Sequence, residues 1–164
     1  MIGGTGLIGS YLTDILKVSE QWKDIQFISR KDPELPEKFT VLNISEYTML
    51  SNIDVAFCTL GTTMANAGSK DAFLKVDHDM VLDFARKAKQ AGAKVFLFVS
   101  SVGADSKSSN FYLRVKGEVE NNLRSMGFES LVILRPSLLL GPRKNPRTGE
   151  TIGKKLMCVI DPLM

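Results

Sequence analysis

Gly3-Gly4-Thr5-Gly6-Leu7-Ile8-Gly9, running into Ser10-Tyr11-Leu12-Thr13-Asp14-Ile15-Leu16-Lys17, decides how the rest of the chain is read. Glycines at positions 3, 6 and 9 give G-x-x-G-x-x-G, and the residues behind them carry the apolar periodicity of a helix. That is a tight turn opening a helix. With no Cβ atoms in the way, backbone N–H groups and the helix N-terminus can approach an anion such as a pyrophosphate. A plain strand-to-helix turn would use the same glycines. The anion-binding form requires a preceding strand and a ribose-reading residue about twenty positions on. Only Met1 and Ile2 stand before Gly3. We expect a clipped first strand, lying between the second and fourth strands, in a fragment of a longer chain.

Working outward, the helix is expected to run to about Val18. Ile25-Gln26-Phe27-Ile28-Ser29 alternates like a second strand and ends at Arg30-Lys31. Phe39–Leu42 predicts a short third strand with Asn43 at its end, and Ser45–Leu50 a short helix. Asp54–Thr59 is nearly continuous apolar sequence, as in a parallel strand covered on both faces. A small-residue loop is expected from Gly61 to Gly68, then a long helix over 70–90 that stops at Gly92. Lys94–Val99 predicts another strand, closed by Ser100-Ser101-Val102-Gly103. A helix follows over Phe111–Ser125, then a buried strand Leu131–Leu134 ending at Arg135-Pro136, and a helix near Ile152–Val159. Strand and helix alternate with short connections. The pattern predicts one α/β domain over residues 1–164, a doubly wound, mostly parallel Rossmann-type sheet truncated at its first strand and C-terminus. Ligands of such sheets bind beyond the carboxyl ends of the strands, where the glycine turn, Arg30, Asn43, Gly61, Ser101 and Arg135 all fall.

The 164 residues are 44% hydrophobic and 24% charged, with a net charge of +3. So small a charge gives no reason to expect nucleic acid or an anionic membrane as partner. Cys58 and Cys158 have no metal-ligand or redox spacing and are expected as buried free thiols in a reducing compartment. No apolar run approaches about 18 residues and no leader-like segment opens the chain, so a soluble, cytoplasmic protein is expected.

Tyr112 and Lys116 are spaced i, i+4 and share one face of their helix, and Ser100-Ser101 ends the strand before it. A phenol titrating near pH 10 serves poorly in acid–base chemistry until a cation stabilises its phenolate, and a lysine one turn away supplies that cation. Serine can hydrogen-bond a substrate oxygen. A surface Tyr–Lys pair would show the same spacing. The combination with the glycine turn and strand-end serines, in this order, resembles the short-chain dehydrogenase/reductase superfamily. The runs Ser100–Asp105, Ser108–Glu120, Val76-Asp77-His78-Asp79 and Leu134-Arg135-Pro136 look like its Tat-interacting-protein-like oxidoreductase branch.

That resemblance implies a Rossmann-type fold, NADP(H) binding, and Ser101, Tyr112 and Lys116 as the catalytic set. Lys116 would also hold the nicotinamide ribose. Thr59, Leu60, Gly61 and Thr62 would line the adenosine side, Asn43 would meet the adenine edge, and Arg135-Pro136 would border the cofactor. Gly3, Thr5, Gly6, Leu7, Ile8 and Gly9 form the expected phosphate cradle. Arg30 and Lys31 stand where an NAD site would carry Asp or Glu, so NADP(H) is expected over NAD(H). Asp77 is open between a structural and a polar-relay role. His78 is expected to be a solvated helix residue, and no metal site is expected. Arg143, Lys144 and Arg147 read either as a solvated basic loop or as receivers of an anionic substrate.

Three functions fit these residues. One is an NADPH-dependent reductase or dehydrogenase of an unknown carbonyl or alcohol, with Tyr112 as acid/base. Another is an NADPH-sensing regulator with little turnover. The third is an epimerase or dehydratase of nucleotide sugars, less favoured because the chain stops at Met164. The expected partners are a nicotinamide dinucleotide and a small-molecule substrate, without nucleic acid or membrane, and with a homodimer as the assembly to test.

Overall fold

A computed structural model describes residues 1–48, 52–137 and 139. Its elements are α1 (Leu7–Val18), β1 (Ile25–Ser29), β2 (Phe39–Asn43), β3 (Val55–Cys58), α2 (Met64–Ala67), α3 (Lys70–Leu74), α4 (Met80–Gln90), β4 (Val95–Val99), α5 (Phe111–Ser125) and β5 (Ser130–Leu134). One π-helical turn, Lys75–Asp79, joins α3 to α4.

All strands run parallel. β1 pairs with β2, and β4 lies between β3 and β5. The expected first strand is there as a stub joining the two groups. Ile2 bridges both Ile28 and Cys58 in parallel register. Its N–H donates to the Phe57 carbonyl at 2.9 Å, and its carbonyl accepts from the Thr59 N–H at 3.0 Å. The Met1 carbonyl accepts from the Ile28 N–H at 2.9 Å. The order across the sheet is therefore β2, β1, stub, β3, β4, β5, a doubly wound arrangement.

Period-two alternation divides the strand side chains between two layers. Ala56, Cys58, Phe96 and Phe98 face α4 and α5 in one core, with Val81, Phe84, Ala88, Val119 and Leu123. Phe27, Ile25 and Phe39 face the other way and pack with Met1 and Leu16, joined by Leu12, Trp22 and Phe57. Burial pushes the Cys58 thiol up to about 12, so it stands as an uncharged core group.

Three local expectations change. Residues 44–46 form a turn and Tyr47 and Thr48 carry no regular structure, where a helix over Ser45–Leu50 was expected; Met49 and Leu50 lie outside the described residues. The Asn43 side-chain oxygen accepts from the Ser45 N–H at 3.0 Å and hydroxyl at 2.7 Å, which favours a turn over a helix. Tyr47 is then drawn into the core, with its hydroxyl donating to Asp83 at 3.1 Å. The small-residue loop contains a single helical turn, α2, capped by Thr63 Oγ1 accepting from the Asn66 N–H and closed by Gly68 at φ +79. The long helix over 70–90 is continuous but passes through the π turn. The helix expected near Ile152–Val159, together with Cys158, lies outside the described residues.

Candidate active site

The glycine turn sits at the carboxyl edge of the sheet, where its close approaches leave no room for side chains. Gly3 has φ +82, and a Cβ there would stand 2.6 Å from the Thr59 carbonyl carbon. A Cβ on Gly9 would stand 2.1 Å from the Gly3 carbonyl oxygen and 2.7 Å from Thr59 Oγ1. The first turn of α1 is thus seated directly on the stub and on the end of β3. Thr13 Oγ1 reinforces it, donating to the Gly9 carbonyl at 2.7 Å, and Thr59 Oγ1 donates to the Ile2 carbonyl at 3.1 Å. Gly6 is the N-cap of α1 and contributes no side chain to cap it. The orphan N–H groups that open a helix therefore face the edge beside exposed Thr5 and Gly6, flanked by partly buried Leu7 and Ile8. Such a cradle fits the phosphates of a dinucleotide.

Across the edge, Lys116 of α5 is only 2% exposed. Its ammonium lies 2.9 Å from Asp77 Oδ1 and 5.1 Å from the centre of the Phe98 ring. Asp77 is fully buried in the π turn, and its Oδ2 accepts from the Thr62 N–H at 2.7 Å. Gly61 lies over this pair, since a Cβ there would stand 3.6 Å from Asp77 Oδ1 and 3.8 Å from Lys116 Nζ. Leu60 packs against the core. The end of β3 and Lys116 are therefore neighbours.

Tyr112 lies one helical turn before Lys116, partly buried, with its ring edge-on to Phe73 at 5.8 Å. The two serines at the end of β4 differ in their engagement. Ser100 is buried and donates to Glu120 Oε1 at 2.6 Å, whereas partly buried Ser101 donates weakly to the Val102 carbonyl at 3.3 Å. Of the two hydroxyls, that of Ser101 is the one less committed within the protein.

Glu120 was not singled out from the sequence, yet it is fully buried at the centre of a charged cluster. Its carboxylate accepts from Ser100, from Arg124 Nη2 at 2.9 Å, and from Arg135 through Nε at 2.9 Å and Nη2. Burial alone would raise the Glu120 pKa, but hydrogen bonds from Arg135, Ser100 and Arg124 outweigh it and hold the carboxyl below its usual range. Arg135 is thus engaged in tying β5 to α5. The Pro136 carbonyl accepts from the Val102 N–H at 3.0 Å, which fixes the serine turn. Arg30 and Lys31 are exposed just beyond β1, and Asn43 is exposed as the last residue of β2. His78 is partly buried, with Nδ1 2.8 Å from Asp79 Oδ1. Arg143, Lys144 and Arg147 lie outside the described residues. Among the described residues no cluster of His, Cys, Asp and Glu could hold a metal ion, and no helix is long and apolar enough to cross a membrane.

The HIM1 family model matches residues 13–161. The chain is 38% identical over 167 residues to the protein fmp52, mitochondrial, of Emericella nidulans, covering 94% of this chain and 72% of that protein. It is 37% identical to the corresponding Candida albicans protein, covering 95% and 73%. Among solved structures, a UDP-glucuronic acid 4-epimerase from Bacillus cereus, in complex with UDP-glucuronic acid and NAD, matches with a TM-score of 0.70 at 18% identity over 95% of this chain. A UDP-N-acetylglucosamine 4-epimerase from Methanobrevibacter ruminantium matches with a TM-score of 0.69 at 19% identity over 88% of it. The chain spans 62% and 56% of those two structures. These likenesses bear out the doubly wound Rossmann-type fold. Two expectations are corrected. The family matched is HIM1, not the Tat-interacting-protein-like branch. The relatives are named as mitochondrial proteins, which overturns the expectation of a cytoplasmic one.

Proposed function

The chain belongs to the HIM1 family, and from that premise and the edge just described we propose that it binds NADP(H) and acts as a short-chain reductase or dehydrogenase in mitochondria. The observation that carries the proposal is the glycine cradle closed against Thr59, with Lys116 reached through Gly61 on the same edge. The N–H groups opening α1 bind the pyrophosphate. Arg30 and Lys31 take the 2′-phosphate, which favours NADP(H) over NAD(H). Asn43 meets the adenine edge, and Thr59 to Thr62 line the adenosine side.

The bound dinucleotide supplies or accepts the hydride. Ser101 orients the carbonyl or alcohol oxygen of a small-molecule substrate. Tyr112 gives that oxygen a proton in reduction and takes it back in oxidation. Lys116 holds the ribose hydroxyls and supports the phenol through its charge. Arg135 acts through Glu120 and Ser100 to hold the serine turn in place.

The test pairs NADPH affinity with carbonyl-dependent NADPH oxidation in the wild type and Tyr112→Phe, on a full-length chain. Loss of general acid catalysis lowers turnover about a hundredfold to ten-thousandfold, while NADPH affinity survives. A second reading, an NADPH sensor with little turnover, is favoured by the ion pair in which Asp77 already offsets the charge of Lys116. In that case Tyr112→Phe leaves every functional readout unchanged.

A further inference from the structure

We propose that Asp77 is a positioning residue that couples the loop after β3 to Lys116, so that the two parts of the cleft move as one unit. The proposal rests on the reading of that cleft as an NADP(H) site. One carboxylate serves both partners, its Oδ2 accepting from the Thr62 N–H at 2.7 Å and its Oδ1 lying 2.9 Å from the Lys116 ammonium. Oδ1 is buried and has no aligned hydrogen-bond donor, so what holds it is the charge of Lys116. Among the described residues Lys116 forms no other salt bridge, and Phe98 walls it on another side. The nearby Cys58 thiol is uncharged, and the Glu120 carboxylate one turn along α5 is committed to Arg124 and Arg135.

Each of the three groups thus depends on the others. Without Lys116, Asp77 is a buried carboxylate with no counter-ion; it must move or take up a proton, and either one weakens its hold on the Thr62 N–H. Without the Asp77 charge, Lys116 is a buried ammonium with no counter-ion, and the contact it offers a ribose is displaced. A π turn is a frequent device for re-aiming a helical side chain at a functional site, and here it places Asp77 under Gly61 and Thr62.

The experiment uses the full chain as wild type, Asp77→Asn, Lys116→Met and the double variant. Amide hydrogen exchange is read at Thr62, with the amide of Phe98 in β4 as the measure of global opening, and NADPH affinity by fluorescence titration. Lys116→Met is expected to speed exchange at Thr62 about tenfold or more beyond any change at Phe98, although the Thr62 N–H donates to Asp77 and not to Lys116. Asp77→Asn is expected to weaken NADPH about tenfold when Lys116 is present and less than about twofold in the Lys116→Met background. Equal rises at Thr62 and Phe98, or equal NADPH losses in both backgrounds, would overturn the coupling. A wild type that does not bind NADPH, yet shows the Thr62 response, would keep the coupling and refute the cofactor reading instead. Should Asp77→Asn fail to fold, the Thr62 response to Lys116→Met decides alone.

Discussion

Gly9→Ala sets two effects of known size against each other. Alanine is favoured over glycine inside a helix by about 0.5–1 kcal/mol, so at an ordinary helical glycine the change stabilises. At Gly9 the new Cβ would fall 2.1 Å from the Gly3 carbonyl oxygen and 2.7 Å from Thr59 Oγ1. The first of these is backbone of the turn and cannot swing aside. To reach even a tight 3.4 Å contact from 2.1 Å, α1 or the turn must shift by about 1.3 Å. Overpacking costs about 1–3 kcal/mol, and a clash against backbone belongs at the top of that range. The net effect is a loss of about 2–2.5 kcal/mol, or roughly 4–10 °C in Tm for a chain of this size. The same shift lifts the α1 N–H groups off their phosphate positions, so NADPH affinity falls as well. Urea unfolding followed by the fluorescence of Trp22, the sole tryptophan, reads the stability, since Trp22 packs edge-on to Phe57 at 5.7 Å. NADPH titration reads the site. A Gly9→Ala protein that is more stable than wild type and binds NADPH equally would show that the glycine is an ordinary helical residue and that the cradle argument fails.

Arg30→Asp replaces an exposed cation at the end of β1 with a carboxylate. A charge-assisted hydrogen bond contributes about 1.5–3 kcal/mol, so NADPH affinity should fall about tenfold to a hundredfold while NADH affinity changes far less. Equal weakening of both cofactors would remove Arg30 as the selector. Glu120→Gln sets an NH2 donor in place of one of the two acceptor oxygens that face Ser100, Arg124 and Arg135, and removes the charge, so urea unfolding should show a less stable protein at neutral pH. Because the folded-state pKa of Glu120 is lowered, its contribution is present above the ordinary glutamate range and fades as the pH falls through the folded value. The gap between wild type and variant should therefore narrow on acidification. A gap of constant size would exclude this carboxylate as its source.

The strands were legible because their buried faces are written in short apolar runs. Phe96 and Phe98 read as core from Lys94–Val99 alone, and both are fully buried. The glycine turn was legible because its spacing is set by local geometry. What escaped depends on partners distant in sequence. Nothing in Lys75–Asp79 announces a π turn, and Asp77 acquires its meaning only when Lys116 arrives 39 residues later (116 − 77). Glu120 entered only as the end of the run Ser108–Glu120, and Arg135 as a cleft residue, until folding brought them together with Ser100. The turn after β2 misled for a local reason: Ser45–Leu50 has helical composition, but the Asn43 side chain competes for its first N–H.

The π turn also changes which alterations of length the helix can survive. Removing one residue from an α-helix rotates everything beyond it by about 100° relative to what came before. In α4 that rotation would carry Val81, Phe84 and Ala88 out of the core, and in α3 it would unseat Phe73. Between Lys75 and Asp79 the backbone already holds a surplus residue, so a deletion there can be taken up by tightening into regular α-helix, with both flanking faces left in register. The segment is therefore the one place where this helix can shorten without repacking. What such a shortening would sacrifice is the carboxylate beneath Gly61, and the chain would keep its fold while losing the link between the two sides of its cleft.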